Sequence, residues 1–170
     1  STRPAYGDVM QVTGPLGQYN GLLELNLSAS NPTHIASNLG ASGYDVPAKS
    51  FSFASLSDIP FMETNVERSL VVVSNVLIQN GGTGSVFSSG VLNITNQADQ
   101  TFTLYIDSRL TDIIGQPIPG GLVNITGYMS QFDSSSPYTS GYQLIPTYAG
   151  SIVSAPVVVK VAVAGSKSSA

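Results

Sequence analysis

Few residues of this chain have the types and spacing that enzyme chemistry needs. Among its 170 residues there is one histidine, His34, and there is no cysteine. A hydrolase triad would bring His34 together with a serine and an acid such as Asp45, yet no G-x-S-x-G nucleophile turn occurs. Glu63 and Glu67 have helical spacing and could form a glycosidase pair, although solvated or turn-capping carboxylates are the commoner explanation. The sequence therefore predicts that the protein is not an enzyme.

The sequence also predicts no metal and no cofactor. The lack of cysteine excludes disulfides, thiol nucleophiles and thiolate metal sites. Asp107, Asp112 and Asp133 could offer oxygen ligands to Ca²⁺, but their spacing is not that of an EF-hand. Acidic turn residues are the ordinary interpretation of all three.

Charge and hydropathy argue against two classes of partner, nucleic acids and membranes. Charged residues make up 9% of the chain, against about 25% in a typical soluble protein. The net charge is −4 and only six Lys or Arg are present, so no basic stripe could replace the counterions of a nucleic acid. No run of about 18 apolar residues exists, and we expect no membrane span. A surface with so few charged residues resembles the centre of a protein–protein interface, which favours self-assembly.

Short β-branched and aromatic runs, separated by Gly, Pro, Asn and Ser, predict an all-β fold. In residues 101–107, Phe102, Leu104 and Ile106 share one face of a predicted strand. Residues 31–47 are predicted to be loop with at most one short helical turn in 33–38, and residues 55–67 could carry another. The predicted strands are residues 9–13, 22–27, 50–53, 69–79, 86–93, 101–107, 123–132, 142–145 and 157–163.

An internal repeat is visible at an offset of 113 residues. Residues 7–20 read GDVMQVTGPLGQYN and residues 120–133 read GGLVNITGYMSQFD. Gly14 matches Gly127, and Gln18 matches Gln131. About fifty strand-forming residues precede the second copy, but only six residues precede the first. The first copy is therefore expected to be a partial module whose strand edges lack partners.

The second copy lies in sequence that resembles a known module. Residues 112–121 read DIIGQPIPGG, followed by VNITG at 123–127, QFD at 131–133 and GYQLIP at 141–146. With ERSLVVVSNV at 67–76, this resembles an OB-fold-like module of large secreted and surface proteins of bacteria, over residues 56–150. Residues 7–28 resemble the end of a preceding module. The resemblance implies a five-stranded Greek-key barrel and no catalytic residues; Thr147, where a basic residue is usual, departs from it.

These features divide the chain into three predicted segments. Residues 1–55 are predicted to be a partial OB-like module with a connecting loop, residues 56–150 an OB-like barrel or sandwich, and residues 151–170 an apolar extension strand with a flexible tail. In the tail, valines occur at every second position, so one face of the predicted strand is apolar and needs an apolar partner. This strand could complete the first copy within its own molecule or insert into the next one. The residues on that face are Val157, Val159, Val161 and Val163.

Two functions of different classes remain open. The first is a bacterial structural subunit, extracellular or at the cell surface, that forms a head-to-tail homopolymer or filament by strand exchange. The second is a secreted module that binds carbohydrate through an aromatic barrel face; the acidic composition makes single-stranded nucleic acid the weaker ligand. The aromatic residues proposed to face such a ligand are Tyr105, Tyr128, Tyr138 and Tyr142.

Overall fold

The fold is all-β, as predicted. The computed structural model describes residues 4–5, 7–28 and 30–156. Helical turns are short and connect strands of the main sheet: a 3₁₀ turn at Phe53–Ser57, α1 at Ile59–Phe61, a π-helical turn at Met62–Val66 and a 3₁₀ turn at Ala149–Ser151. The described strands are β1 (Asp8–Thr13), β2 (Leu16–Tyr19), β3 (Leu22–Leu25), β4 (Ile35–Ala41), β5 (Lys49–Ser50), β6 (Leu70–Ile78), β7 (Gly90–Thr95), β8 (Thr101–Ile106), β9 (Val123–Gln131), β10 (Tyr142–Pro146) and β11 (Ile152–Ser154).

Five of these strands close into a barrel with OB-fold strand order. β6, β7 and β8 form an antiparallel meander, and β8 lies parallel to β10. β10 is antiparallel to β9, and β9 returns to pair with β6. The barrel therefore has no free edge among these five strands, which is the usual way for a small β domain to avoid exposed ladders. The predicted OB-like barrel is confirmed.

The apolar core lies inside this barrel. Burial alternates along β8, so Phe102, Leu104 and Ile106 share one face as predicted; that face points inward, while Thr103 and Tyr105 are only partly buried. The helical turns between β5 and β6 add Phe53, Met62 and Val66 to the same core. Every buried hydrophobic residue in the described part of the chain comes from Phe51 or later.

β9 is the strand that joins the two sides of the barrel. Its first residues pair with β11 on one edge, at Ile125↔Ile152, and its later residues pair with β10. Gly127 lies at the changeover, opposite Val71 of β6 and Pro146 of β10. A Cβ at Gly127 would collide with the carbonyl oxygen of Ile145, so the close approach of the two strands requires glycine there.

The strands before the barrel form a separate small unit, here called the front unit (β1 to β4, residues 8–41). β1 pairs with β4 in antiparallel register, and β2 pairs with β3. The hairpin turn between β2 and β3 is Asn20-Gly21, with φ of 48° and 91°, as a two-residue turn of type I′ requires. The prediction that residues 31–47 are loop is wrong, because Ile35–Ala41 is a strand. Its sequence, IASNLGA, has one β-branched residue, and its pairing with β1 determines its conformation.

Two other predicted boundaries also change. Residues 50–53 were expected to be a strand, but only Lys49–Ser50 pairs with β6; Ser52 Oγ then accepts a hydrogen bond from Ala54 N at 3.3 Å and caps a 3₁₀ turn. In the predicted strand 86–93, regular pairing begins only at Gly90. The predicted helical turn within residues 55–67 is present. The predicted strand 157–163 lies outside the described residues.

The Gly127 contact gives a test of barrel closure. Replacement Gly127→Ala should lower the free energy of unfolding by about 1–3 kcal/mol, because a methyl group must displace backbone atoms of β10. Urea denaturation measures the loss. Gly121→Ala is the matched control, since its Cβ would meet nothing within 4 Å. Equal stability of the two variants would contradict the tight β9–β10 approach.

Candidate assembly site

The front unit repeats the last three strands of the main sheet, β9, β10 and β11. In the barrel, β9 pairs with β11 at Ile125↔Ile152 and with β10 at Met129↔Leu144. At the repeat offset, β1 pairs with β4 at Val12↔Ala36, and β2 pairs with β3 at Leu16↔Leu25. The pair β1 and β2 thus corresponds to β9, with a break at Gly14-Pro15. β3 corresponds to β10, and β4 corresponds to β11.

A glutamine makes the same hydrogen bond in both copies. Gln18 Nε2 donates to the carbonyl oxygen of Gly21 at 3.1 Å, across the β2–β3 turn. Gln131 Nε2 donates to the carbonyl oxygen of Ser140 at 2.9 Å, and also to that of Tyr138. Gly21 and Ser140 hold the same place relative to the strand pairing. The sequence repeat is therefore also a repeat of structure.

The two copies differ in what covers their apolar face. Ile125, Met129 and Leu144 are 0%, 1% and 0% exposed inside the barrel. Their counterparts in the front unit are also apolar, but they are far more exposed than the barrel residues: Val12 is 39% exposed, Leu16 is 70% exposed and Leu25 is 46% exposed. The front unit has the inward-facing residues of a barrel without the strands that would cover them. Within the described residues it lacks counterparts of β6, β7 and β8.

The tip of the front hairpin rests on the barrel. The backbone N–H of Asp133 donates to the carbonyl oxygen of Asn20 at 2.7 Å. The rings of Tyr19 and Phe132 meet edge to face with centroids 6.3 Å apart. Gly21 is buried there, and a Cβ on it would clash with the side chain of Gln131. These contacts, here called the clasp, lie just beyond the end of β9.

Asp133 holds the loop that supports the clasp. Its carboxylate accepts hydrogen bonds from the backbone N–H and the hydroxyl of Ser135 and from those of Ser140. The hydroxyl of Ser140 is the main reason that the pKa of Asp133 lies below its ordinary value. Asp133 therefore acts in loop structure. Among the described residues no group of three or more His, Asp or Glu side chains could hold a metal ion.

The four tyrosines proposed to face a ligand do not share one exposed surface. Tyr128 is exposed, Tyr105 and Tyr138 are half-buried, and Tyr142 is a core residue with 7% of its surface exposed. The ring of Tyr142 thus packs inside instead of presenting a face to solvent. Its hydroxyl has no hydrogen-bond partner among the described residues. Burial, assisted by the charges of Glu63, Glu67 and Asp133, raises the pKa of Tyr142 to about 12.

A cleft of about 290 Å³ lies beside Tyr142 on the barrel surface. β7, β8, the loop before β10 and the first helical turns form its walls. Five of the ten lining residues are Thr, Ser or Asn, and Leu56, Ile59, Phe102 and Tyr142 supply the apolar and aromatic part of the lining. The polar lining residues are Asn93, Thr101, Thr103, Thr139 and Ser140.

The other residues considered for chemistry have structural roles. His34 Nδ1 accepts a hydrogen bond from Ser28 N at 2.8 Å and closes the loop before β4. Burial raises the pKa of Glu67, while Arg68, whose Nε lies 3.5 Å from Glu67 Oε1, opposes the shift. Asp107 binds Arg109, and Asp112 accepts from Ala149 N. The side-chain hydrogen bond from Arg109 is the main cause that lowers the pKa of Asp107 to about 2.

Comparisons with known proteins found no matching family model, no matching curated protein and no matching solved structure. The helices of the described residues are too short to cross a membrane. The assignment of this chain therefore depends on its own residues. The four valines of the predicted assembly strand, Val157, Val159, Val161 and Val163, lie outside the described residues.

The acceptor side of the site was not identified from sequence. The repeat predicts a module whose strand edges lack partners, but it does not single out the residues of the exposed face. The signal was available: the front residues aligned with apolar positions of the second copy are themselves apolar. Those residues are Met10, Val12, Leu16, Leu23 and Leu25.

A matched pair of Leu→Ala substitutions tests the contrast in burial between the barrel and the front unit. Leu144→Ala should cost about 2–5 kcal/mol of unfolding free energy, because it opens a cavity in a packed core. Leu25→Ala, at the equivalent position of the front unit, should cost less than about 0.5 kcal/mol. Chemical denaturation of chains ending at Pro156 measures both, since the segment 157–163 is then absent. Equal losses would mean that the front face is already covered.

Proposed function

We propose that the protein is an extracellular structural subunit that assembles head to tail, each molecule adding its segment 157–163 as a β-strand to the front unit of the next. One observation carries the proposal: the front unit repeats strands of the barrel, but the apolar residues that are buried inside the barrel are exposed in the front unit. Apolar faces and open ladders of this kind favour strand addition. The extracellular or cell-surface setting follows from the resemblance to modules of secreted bacterial proteins.

The segment 157–163 has the composition that such an addition needs. It reads VVVKVAV, with β-branched residues at every second position and a single charge. β6, the strand that covers β9 in the complete barrel, begins LVVV and is comparably apolar. Seven residues are also enough to pair along the six residues of β1.

The position of the tail favours a neighbouring molecule over the same molecule. Ser154 pairs with Val123, and Ala155 N donates to Leu122 O at 2.8 Å, so the tail begins at the first end of β9. The clasp lies at the other end of β9, beyond Gln131. The nine residues of β9 span about 27 Å, and about eight extended residues are needed to cover that distance. Residues 156–163 would be used up as a connector before reaching the clasp.

A head-to-tail contact of this type joins two different surfaces, donor and acceptor, and forms an open chain wherever the rotation between neighbours does not close a ring. Repetition of one such contact generates a filament or a surface polymer. The low charge supports the proposal, because few charged groups need to be desolvated when neighbouring molecules pack.

Removal of the donor segment tests the proposal. A chain ending at Pro156 keeps the buried Ala155 and its hydrogen bond, so the barrel should stay folded. Light scattering and electron microscopy should show polymers of the full chain and only monomers of the shortened chain. The control replaces residues 157–163 by seven Ser and Gly residues. A monodisperse monomeric full chain, or polymers of the shortened chain, would contradict self-assembly.

A second candidate function is carbohydrate binding at the cleft beside Tyr142. The cleft favours it, because its Thr, Ser and Asn side chains offer the hydroxyl and amide groups that hydrogen-bond to sugars. Glycan titration should alter tyrosine fluorescence in the full chain, and Thr103→Val should weaken binding at least about fivefold. Thr95→Val, outside the cleft on the same strand pair, is the control. No binding across a broad glycan panel would remove this candidate.

A further inference from the structure

We infer that the added strand lies along the free edge of β1, antiparallel to it, in the place that β6 has beside β9. This inference rests on the self-assembly proposed above and specifies the acceptor. The complete barrel serves as the template, because it shows which strand covers the repeated face and in which direction that strand runs.

The barrel supplies the pairing for each position. Val71, Val73 and Val76 of β6 lie opposite Gly127, Ile125 and Val123 of β9. All three of these valines are buried, with 1%, 1% and 0% of their surface exposed. A valine-rich face is therefore what the inward face of β9 accepts.

The same face recurs in the front unit. At the repeat offset, Gly127, Ile125 and Val123 become Gly14, Val12 and Met10. Val157, Val159, Val161 and Val163 occur at every second position, as strand pairing opposite these residues requires. In this arrangement the valines turn inward, and Lys160 turns outward to solvent. The ladder ends near Gly14, because Pro15 has no N–H to donate.

One edge of β1 is occupied and the other is open. β4 pairs with β1 at Met10↔Asn38 and Val12↔Ala36, as β11 pairs with β9. Among the described residues β1 has no second strand partner. The open edge is therefore the one that corresponds to the β6 side of β9.

The alternative acceptor is the free edge of β3, which corresponds to the β8 side of β10. That pairing is parallel in the barrel and covers two positions, Gln143↔Thr103 and Leu144↔Leu104. The β6–β9 pairing covers five positions and is antiparallel. The longer antiparallel ladder gives the added strand more hydrogen bonds and more buried side chains, so β1 is the better acceptor.

Charge placed on either side of the contact tests the inference in the full chain. Val12→Asp puts a carboxylate against the inward valines, and Val159→Asp puts one on the donor face, so each should lower the polymerised fraction at least tenfold. The controls Gln11→Asp and Ala162→Asp carry the same charge on the outward faces, and should change it less than about twofold. Light scattering measures the polymer, and circular dichroism confirms the fold of each variant.

Mixing the two variants that should not polymerise, Val12→Asp and Val159→Asp, tests the donor and the acceptor together. Val12→Asp keeps an intact donor, and Val159→Asp keeps an intact acceptor, so an equimolar mixture should form 1:1 dimers and nothing longer. If Val12→Asp polymerises like the unmodified chain, the β1 edge is not the acceptor, and this inference fails while self-assembly stands. If the chain ending at Pro156 still polymerises, the proposed function itself fails.

Discussion

The antiparallel pairing of β6 with β9 is the interaction on which the rest of the fold depends. Without it, the five strands would form an open, twisted sheet with two free edges and one exposed apolar face. With it, Val73 and Ile125 face each other inside a closed barrel, and both are buried. Gly127 lies opposite Val71 in this pairing, and its lack of a side chain lets β10 approach β9 closely on the other edge. The loops and helical turns then need only cover the ends.

The front unit shows what the same sequence pattern becomes when that pairing is missing. Its strands keep their register, its glutamine keeps its hydrogen bond and its tip is held by the clasp. Its apolar side chains nevertheless stay in contact with water, because two-stranded sheets bury little surface. Local hydrogen bonding defines the shape of the unit, while burial of its apolar face needs strands that the described residues do not supply.

Part of this could be predicted from sequence, and the reasons differ by residue. Period-two alternation identified the inward face of β8, since Phe102, Leu104 and Ile106 are large and apolar. The repeat is visible in the sequence because equivalent positions keep their residues: Gln18 and Gln131 make equivalent side-chain hydrogen bonds, and Gly14 aligns with Gly127. β4 was missed because IASNLGA carries little strand signal and depends on its partner. Tyr142 was proposed to face a ligand because alternation cannot tell which face of a strand is inward when both carry aromatic or apolar residues.

The loop of residues 133–140 has two neighbours at once. On one side the backbone N–H of Asp133 donates to Asn20 at the hairpin tip, and on the other side Thr139 and Ser140 border the cleft. The carboxylate of Asp133 accepts hydrogen bonds from Ser140, so one set of bonds joins the hairpin contact to the cleft wall. A change in the conformation of this loop would therefore alter both neighbours together.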